Sequence, residues 1–88
     1  PAYAQAYMEA ICALDVEYII ANTSPDLASA ASITAFADRA RANGFACKSV
    51  KYLGSYTTED SHAFAVVTDA EVFYILTFDA DEMVIEIQ

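Results

Sequence analysis

A chain of 88 residues has room for one hydrophobic core and one domain, taken here as residues 1–88. Its 13 acidic residues against 4 basic give a formal charge of −9, which repels phosphate backbones and anionic membrane surfaces and so excludes nucleic acid as a partner. The same charge keeps an apolar-rich chain soluble and admits a basic protein face as a partner.

The hydrophobic fraction of 57% is high, but much of it is alanine, which favours helix and fills little volume. No apolar run approaches the length of a membrane span. No basic segment precedes an apolar one, so no signal peptide is visible. The compartment stays unassigned.

Residues 2–21 carry apolar side chains at helical spacing. Tyr3, Tyr7, Ile11, Leu14 and Tyr18 follow steps of three and four, with Met8, Cys12, Val16, Ile19 and Ile20 widening the stripe. This predicts one continuous helix buried against a sheet. Asn22, Thr23, Ser24 and Pro25 break it. Ser24 as N-cap and Pro25 at the first helical position start a second helix running to about residue 43, with a split near Ser32. Leu27, Ile33, Phe36, Ala37 and Ala40 form its inner face, and Gly44 supplies a left-handed C-terminal cap.

After Gly44 the apolar period changes to two. Residues 45–56 are expected to form a long strand. Its two apolar sets, Phe45 with Cys47 and Val50 with Tyr52, are out of phase, which places a bulge near Lys48 and Ser49. Residues 62–68 form a second strand. Residues 72–78 form a third that is apolar on both faces, the pattern of an inner strand covered on two sides. Residues 83–88 close the sheet, with Met83, Ile85 and Ile87 pointing inward. The fold class is therefore α+β: N-terminal helices packed on a curved four-stranded antiparallel sheet. Helices cover only one face of such a sheet, so either Phe73 and Ile75, or Tyr74, Leu76 and Phe78, need a second cover: a pocket wall or a second copy of the chain.

Cys12 and Cys47 match no metal spacing. They are read as buried free thiols, with a disulfide between helix and sheet as the alternative in an oxidising compartment.

Candidate chemistry is sparse. Asp15 lies among apolar helix positions and would act as a base only if buried in a pocket. His62 stands alone beside a polar turn and reads as a surface residue. Asp79, Asp81 and Glu82 cluster in a turn without the spacing of a calcium loop, so no metal is expected. Two glycines, Gly44 and Gly54, cannot build a phosphate loop, so no cofactor is expected either. The aromatic residues read first as core. If they line a cavity instead, the candidate ligand-binding residues are Tyr7, Leu14 and Tyr18 from the helix and Tyr52, Tyr74 and Leu76 from the strands, suited to a small apolar ligand.

The run Ala6-Tyr7-Met8-Glu9-Ala10-Ile11 through Asp15, followed by Tyr18 to Pro25, resembles the first helix of NTF2-like (cystatin-like α+β) domains, a long helix with an acidic residue ending in a Ser-Pro-type turn. Val50-Lys51-Tyr52-Leu53-Gly54 looks like the strand after their helices, and residues 63–68, 72–78 and 83–88 are similar to their closing meander. The resemblance implies a curved sheet folded around the first helix, forming a short cone used for ligand binding or dimerisation. It also implies, for the enzymes of that family, a base and tyrosine donors, here Asp15 with Tyr18 or Tyr52.

The expected function is thus a non-enzymatic binding or dimerisation module, homodimeric through its sheet. The alternatives are a small isomerase-like enzyme with Asp15 as base, and an acidic inhibitor or immunity-type protein that docks on a basic partner.

Overall fold

Left-handed turns end the first and the last helix of this chain. The computed structural model describes residues 2–45 and 47–88. Helix α1 spans Ala2–Ala13, α2 Val16–Asn22 and α3 Ala30–Ala42. The single helix expected over residues 2–21 is therefore two. Leu14 adopts φ 54°, its N–H bonds to Ile11 O at 3.1 Å, and Asp15 N–H reaches Ala10 O at 2.9 Å. That pair of bonds is the Schellman arrangement, usually built on glycine. Asp15 then caps the next helix, its Oδ1 accepting from Tyr18 N–H at 3.3 Å.

The second left-handed turn falls where the sequence places it. Gly44 takes φ 73°, with Gly44 N–H bonded to Arg41 O and Phe45 N–H to Ala40 O. The start of α3 differs from expectation. Ser29 is the N-cap, accepting from Ser32 N–H at 3.1 Å, whereas Ser24 and Pro25 open only a single turn. The last turn of α3 carries Arg39 and Arg41, which suit the negative end of the helix dipole.

Four strands follow: β1 Val50–Thr57, β2 Ser61–Thr68, β3 Phe73–Asp79 and β4 Val84–Ile87, antiparallel in the order β1-β2-β3-β4. The fold is mixed α+β with the helices N-terminal to the sheet. Phe45 and Lys48 lie before β1, and the bulge falls further along at Leu53, between the pairs Tyr52–Val66 and Gly54–Ala65. A second bulge leaves Ile85 without a partner between Thr77–Glu86 and Phe78–Val84. It changes the phase of the last strand: Val84 is fully buried, whereas Ile85 is exposed and Ile87 only borders the helix side. Of the inward set expected, Met83, Ile85 and Ile87, Ile87 does lie on the helix side opposite buried Leu76, Met83 is half-buried, and Ile85 is exposed, with Val84 taking the buried place.

Burial follows the pleat. Phe64, Val66 and Thr68 of β2 and Leu76 and Phe78 of β3 are buried under the helices with Tyr7, Met8 and Ile11. Tyr3, Phe64 and Phe78 meet edge to face at centroid separations of 4.9 to 5.9 Å. The opposite face of β3 is open: Phe73 is 66% exposed and Ile75 42%. Among the described residues nothing covers this second face of the strand.

Cys12 and Cys47 form a disulfide with 4.9 Å between their Cα atoms, in place of the free thiols expected. It clasps α1 to the segment before β1.

Candidate functional site

Three surfaces present chemistry: two clefts on the helix side of the sheet, and the open face on the other.

The first cleft is apolar, with a volume near 260 Å³, and lies between the helices and β3–β4. Met8 and Ile11 of α1, Ile33 and Phe36 of α3, and Leu76 and Ile87 of the sheet supply its wall. Ala28 and Leu27, on the connection before α3, form part of its rim. Leu27 and Phe36 stay partly exposed because they border this opening rather than closing it. Besides Ser32 and Tyr74, its polar groups are a buried hydroxyl pair. Tyr7 Oη and Thr23 Oγ1 stand 2.6 Å apart, and Thr23 Oγ1 donates to Ile19 O at 2.6 Å. Burial raises the Tyr7 pKa, opposed by its bond to Thr23, and burial also raises that of Tyr74 on the same wall.

The second cleft, near 420 Å³, is more polar and runs beside the disulfide, between α1 and the start of β1. Gln5, Glu9, Lys48 and Tyr52 line it, and Gln5 donates to Glu9 Oε1 at 3.2 Å. Burial raises the Tyr52 pKa, and the Glu9 charge raises it further. No nucleophile with a positioned base faces this cleft among the described residues.

Of the six residues proposed to bind a ligand, Tyr7, Tyr74 and Leu76 share the apolar cleft. Tyr52 lines the polar one. Leu14 is buried at the left-handed break, and Tyr18 packs half-buried against the core; neither lines either of these two clefts. Asp15 is exposed and committed to capping α2, so it faces no cavity and does not serve as a buried base. Thr23 was hidden from sequence reasoning, because the run Asn22-Thr23-Ser24-Pro25 signals a helix stop and not a buried hydroxyl. The stop itself carried the clue: Thr23 hydrogen-bonds back onto the last turn it terminates.

His62 is half-buried rather than at the surface, with Nδ1 3.3 Å from Tyr3 Oη and its ring stacked on Phe64 at 4.4 Å. The Asp79 carboxylate accepts from Asp81 and Met83 N–H, both at 2.9 Å, which makes it the internal brace of its turn. No grouping of three or more potential metal ligands occurs among the described residues, and no helix among them is long and apolar enough to cross a membrane.

On the open face, alternation places Lys51, Gly54 and Tyr56 of β1 beside Val67, Ala65 and Ala63 of β2, then Phe73, Ile75 and Thr77 of β3, and Glu86 of β4. Small residues form a flat middle with large apolar ones around it. Gly54 is not demanded by the chain's own packing, since a Cβ there would meet nothing within 4 Å. The chain matches no family model, no curated protein and no solved structure.

Proposed function

We propose that this chain is a non-enzymatic binding and dimerisation module of NTF2-like type, in which two copies pack through the sheet face that the helices leave open. The observation that carries this is Phe73, 66% exposed on an inner strand beside exposed Ile75. Contiguous apolar surface of this kind on a small domain marks an interaction site.

A second copy is the occupant best suited to the face. Four strands at their usual spacing present a footprint of roughly 500 Å² per copy, so a face-to-face pair buries on the order of 1,000 Å², near the lower bound for a specific interface. The flat middle of Gly54, Ala63 and Ala65 allows close approach of a second sheet. Lys51 and Glu86 stand on opposite edge strands and at opposite ends of this face. A twofold axis crossing the diagonal between them brings each Lys51 to the partner's Glu86, and the strands of the two sheets then cross steeply. Helices followed by an antiparallel meander are what support the NTF2-like assignment.

The test is solution molar mass by light scattering, with Phe73→Asp beside the native sequence. A native dimer that the substitution dissociates while the fold is kept supports pairing through this face. A native monomer contradicts it.

A second reading follows from charge placement. Thr57, His62, Phe78 and Val84 form one row across the sheet, so the β1–β2 and β3–β4 turns lie at the same end. Glu59, Asp60, Asp81 and Glu82 are gathered there. This suits a basic protein partner, as an inhibitor or immunity-type domain would require. Binding of poly-lysine that weakens steeply with salt, and that is lost on neutralising these four carboxylates, would favour it. No binding at low salt would remove it.

A further inference from the structure

The proton count at Tyr7 limits what the apolar cleft accepts. Ile19 O is a carbonyl and only accepts, so the one hydroxyl proton of Thr23 is committed to it. Thr23 Oγ1 must then receive the Tyr7 proton across their 2.6 Å contact. Tyr7 is 1% exposed, and its oxygen keeps acceptor capacity that no described protein group uses. A buried acceptor on an apolar wall favours a ligand that brings a donor.

The wall supplies no cation. Among the residues lining the cleft there is no lysine, arginine or histidine, and a chain of formal charge −9 disfavours anions further. Carboxylates and phosphates are therefore poor occupants. Volume gives the size. A cavity of about 150 Å³ lined by aliphatic and aromatic side chains holds benzene. The 260 Å³ here accommodates one ring with a short alkyl substituent.

We propose that the cleft between the helices and β3–β4 is a binding site for a neutral, mostly apolar molecule of the alkylphenol class, its hydroxyl donating to Tyr7 Oη. The site is independent of pairing through the open face, which lies on the other side of the sheet.

The experiment is a methyl-detected NMR titration of the whole chain, following Ile11, Ile33 and Leu76, with three probes of similar shape: 4-propylphenol, its methyl ether and 4-propylbenzoate. The phenol is expected to bind roughly three- to tenfold more tightly than the ether, the contribution of one neutral hydrogen bond. The benzoate is expected not to saturate. Tyr7→Phe should bring the phenol down to the affinity of the ether. Ala28→Phe, which fills the cleft from its rim, should abolish binding of both; it leaves the hydroxyl pair in place and keeps the test open if Tyr7→Phe does not fold. No methyl shifts with the phenol, equal affinity for phenol and ether, or benzoate bound as tightly as phenol would each overturn the proposal.

Discussion

The Tyr7 hydroxyl reaches Thr23 Oγ1 across 2.6 Å and joins the middle of α1 to the chain where α2 ends. Thr23 in turn bridges in parallel to Val84 of β4, and the neighbouring Ser24 N–H donates to Val84 O at 2.8 Å. One small polar residue thereby ties both helices to the closing strand. Thr23→Val removes the acceptor and leaves the Tyr7 O–H without a partner in the core, at a cost of about 2 kcal/mol. Thr23→Ser keeps both bonds and should cost about 1 kcal/mol or less. Urea denaturation compares the two. Equal losses would mean that the lost methyl, and not the hydroxyl, governs stability at this position.

The Cys12–Cys47 disulfide spans a sequence separation of 35. Closing a loop of that length restricts the unfolded chain by about 3–4 kcal/mol in the chain-entropy account. The double substitution to alanine should therefore lower the melting temperature by about 15 to 25 °C for a domain of this size. Thermal unfolding of the native sequence with and without reductant should show a similar loss. A reduced protein that melts within a few degrees of the oxidised one would show that the clasp contributes little. Such a bond persists only in an oxidising compartment, so the clasp and its contribution depend on where the chain resides.

Leu14 holds φ 54° while buried, a conformation most side chains avoid and β-branched ones avoid strongly. Leu14→Ile nearly conserves volume and ordinarily costs less than about 1.5 kcal/mol. Here it should cost about 2 kcal/mol or more, because the branched Cβ is forced into the left-handed region. Denaturant midpoints measure this. A mild effect would mean that the backbone at Leu14 stays right-handed and the two helices are one.

That residue shows where the sequence stopped being legible. The stripe Tyr7, Ile11, Leu14 and Tyr18 keeps helical spacing straight through the break, because Leu14 is buried from a left-handed backbone as it would be from a helix. Gly44 was readable as a helix end because glycine takes positive φ without strain, whereas leucine gives no such signal. The phase of β4 failed for a related reason. A bulge at Ile85 puts Val84 and Ile87, three residues apart, on the same face, so no single alternation fits the strand, and nothing in Val84-Ile85-Glu86-Ile87 marks it. The two-faced apolar pattern of residues 72–78 was legible and yielded the open face. The apolar cleft was legible only in Tyr7, Tyr74 and Leu76, since its other walls come from helix positions that read equally well as core.

Asp69 secures the entry to β1 from the β2–β3 turn. Its carboxylate accepts from Lys48 N–H at 2.8 Å and Ser49 N–H at 3.4 Å, and the bond from Lys48 chiefly holds its pKa below the ordinary carboxylate value. A depressed folded-state pKa contributes stability that is present above the unfolded value and is lost as pH falls through the folded one. Asp69→Asn should accordingly lower stability at neutral pH, with the difference from the native protein closing below about pH 4. Urea midpoints across that range read this directly. A constant difference down to acid pH would show that the carboxylate charge is not what holds the segment.

Pairing through the open face is tested most directly by the solution molar mass of the native chain and of Phe73→Asp, at concentrations where both are folded. The expected result is twice the 9.5 kDa of a single chain for the native protein. The substitution should give a folded single chain, since Phe73 is exposed and an aspartate there meets water until a second sheet covers it. A native protein that stays at 9.5 kDa at high concentration would contradict the account, as would a Phe73→Asp protein that dimerises as tightly as the native one.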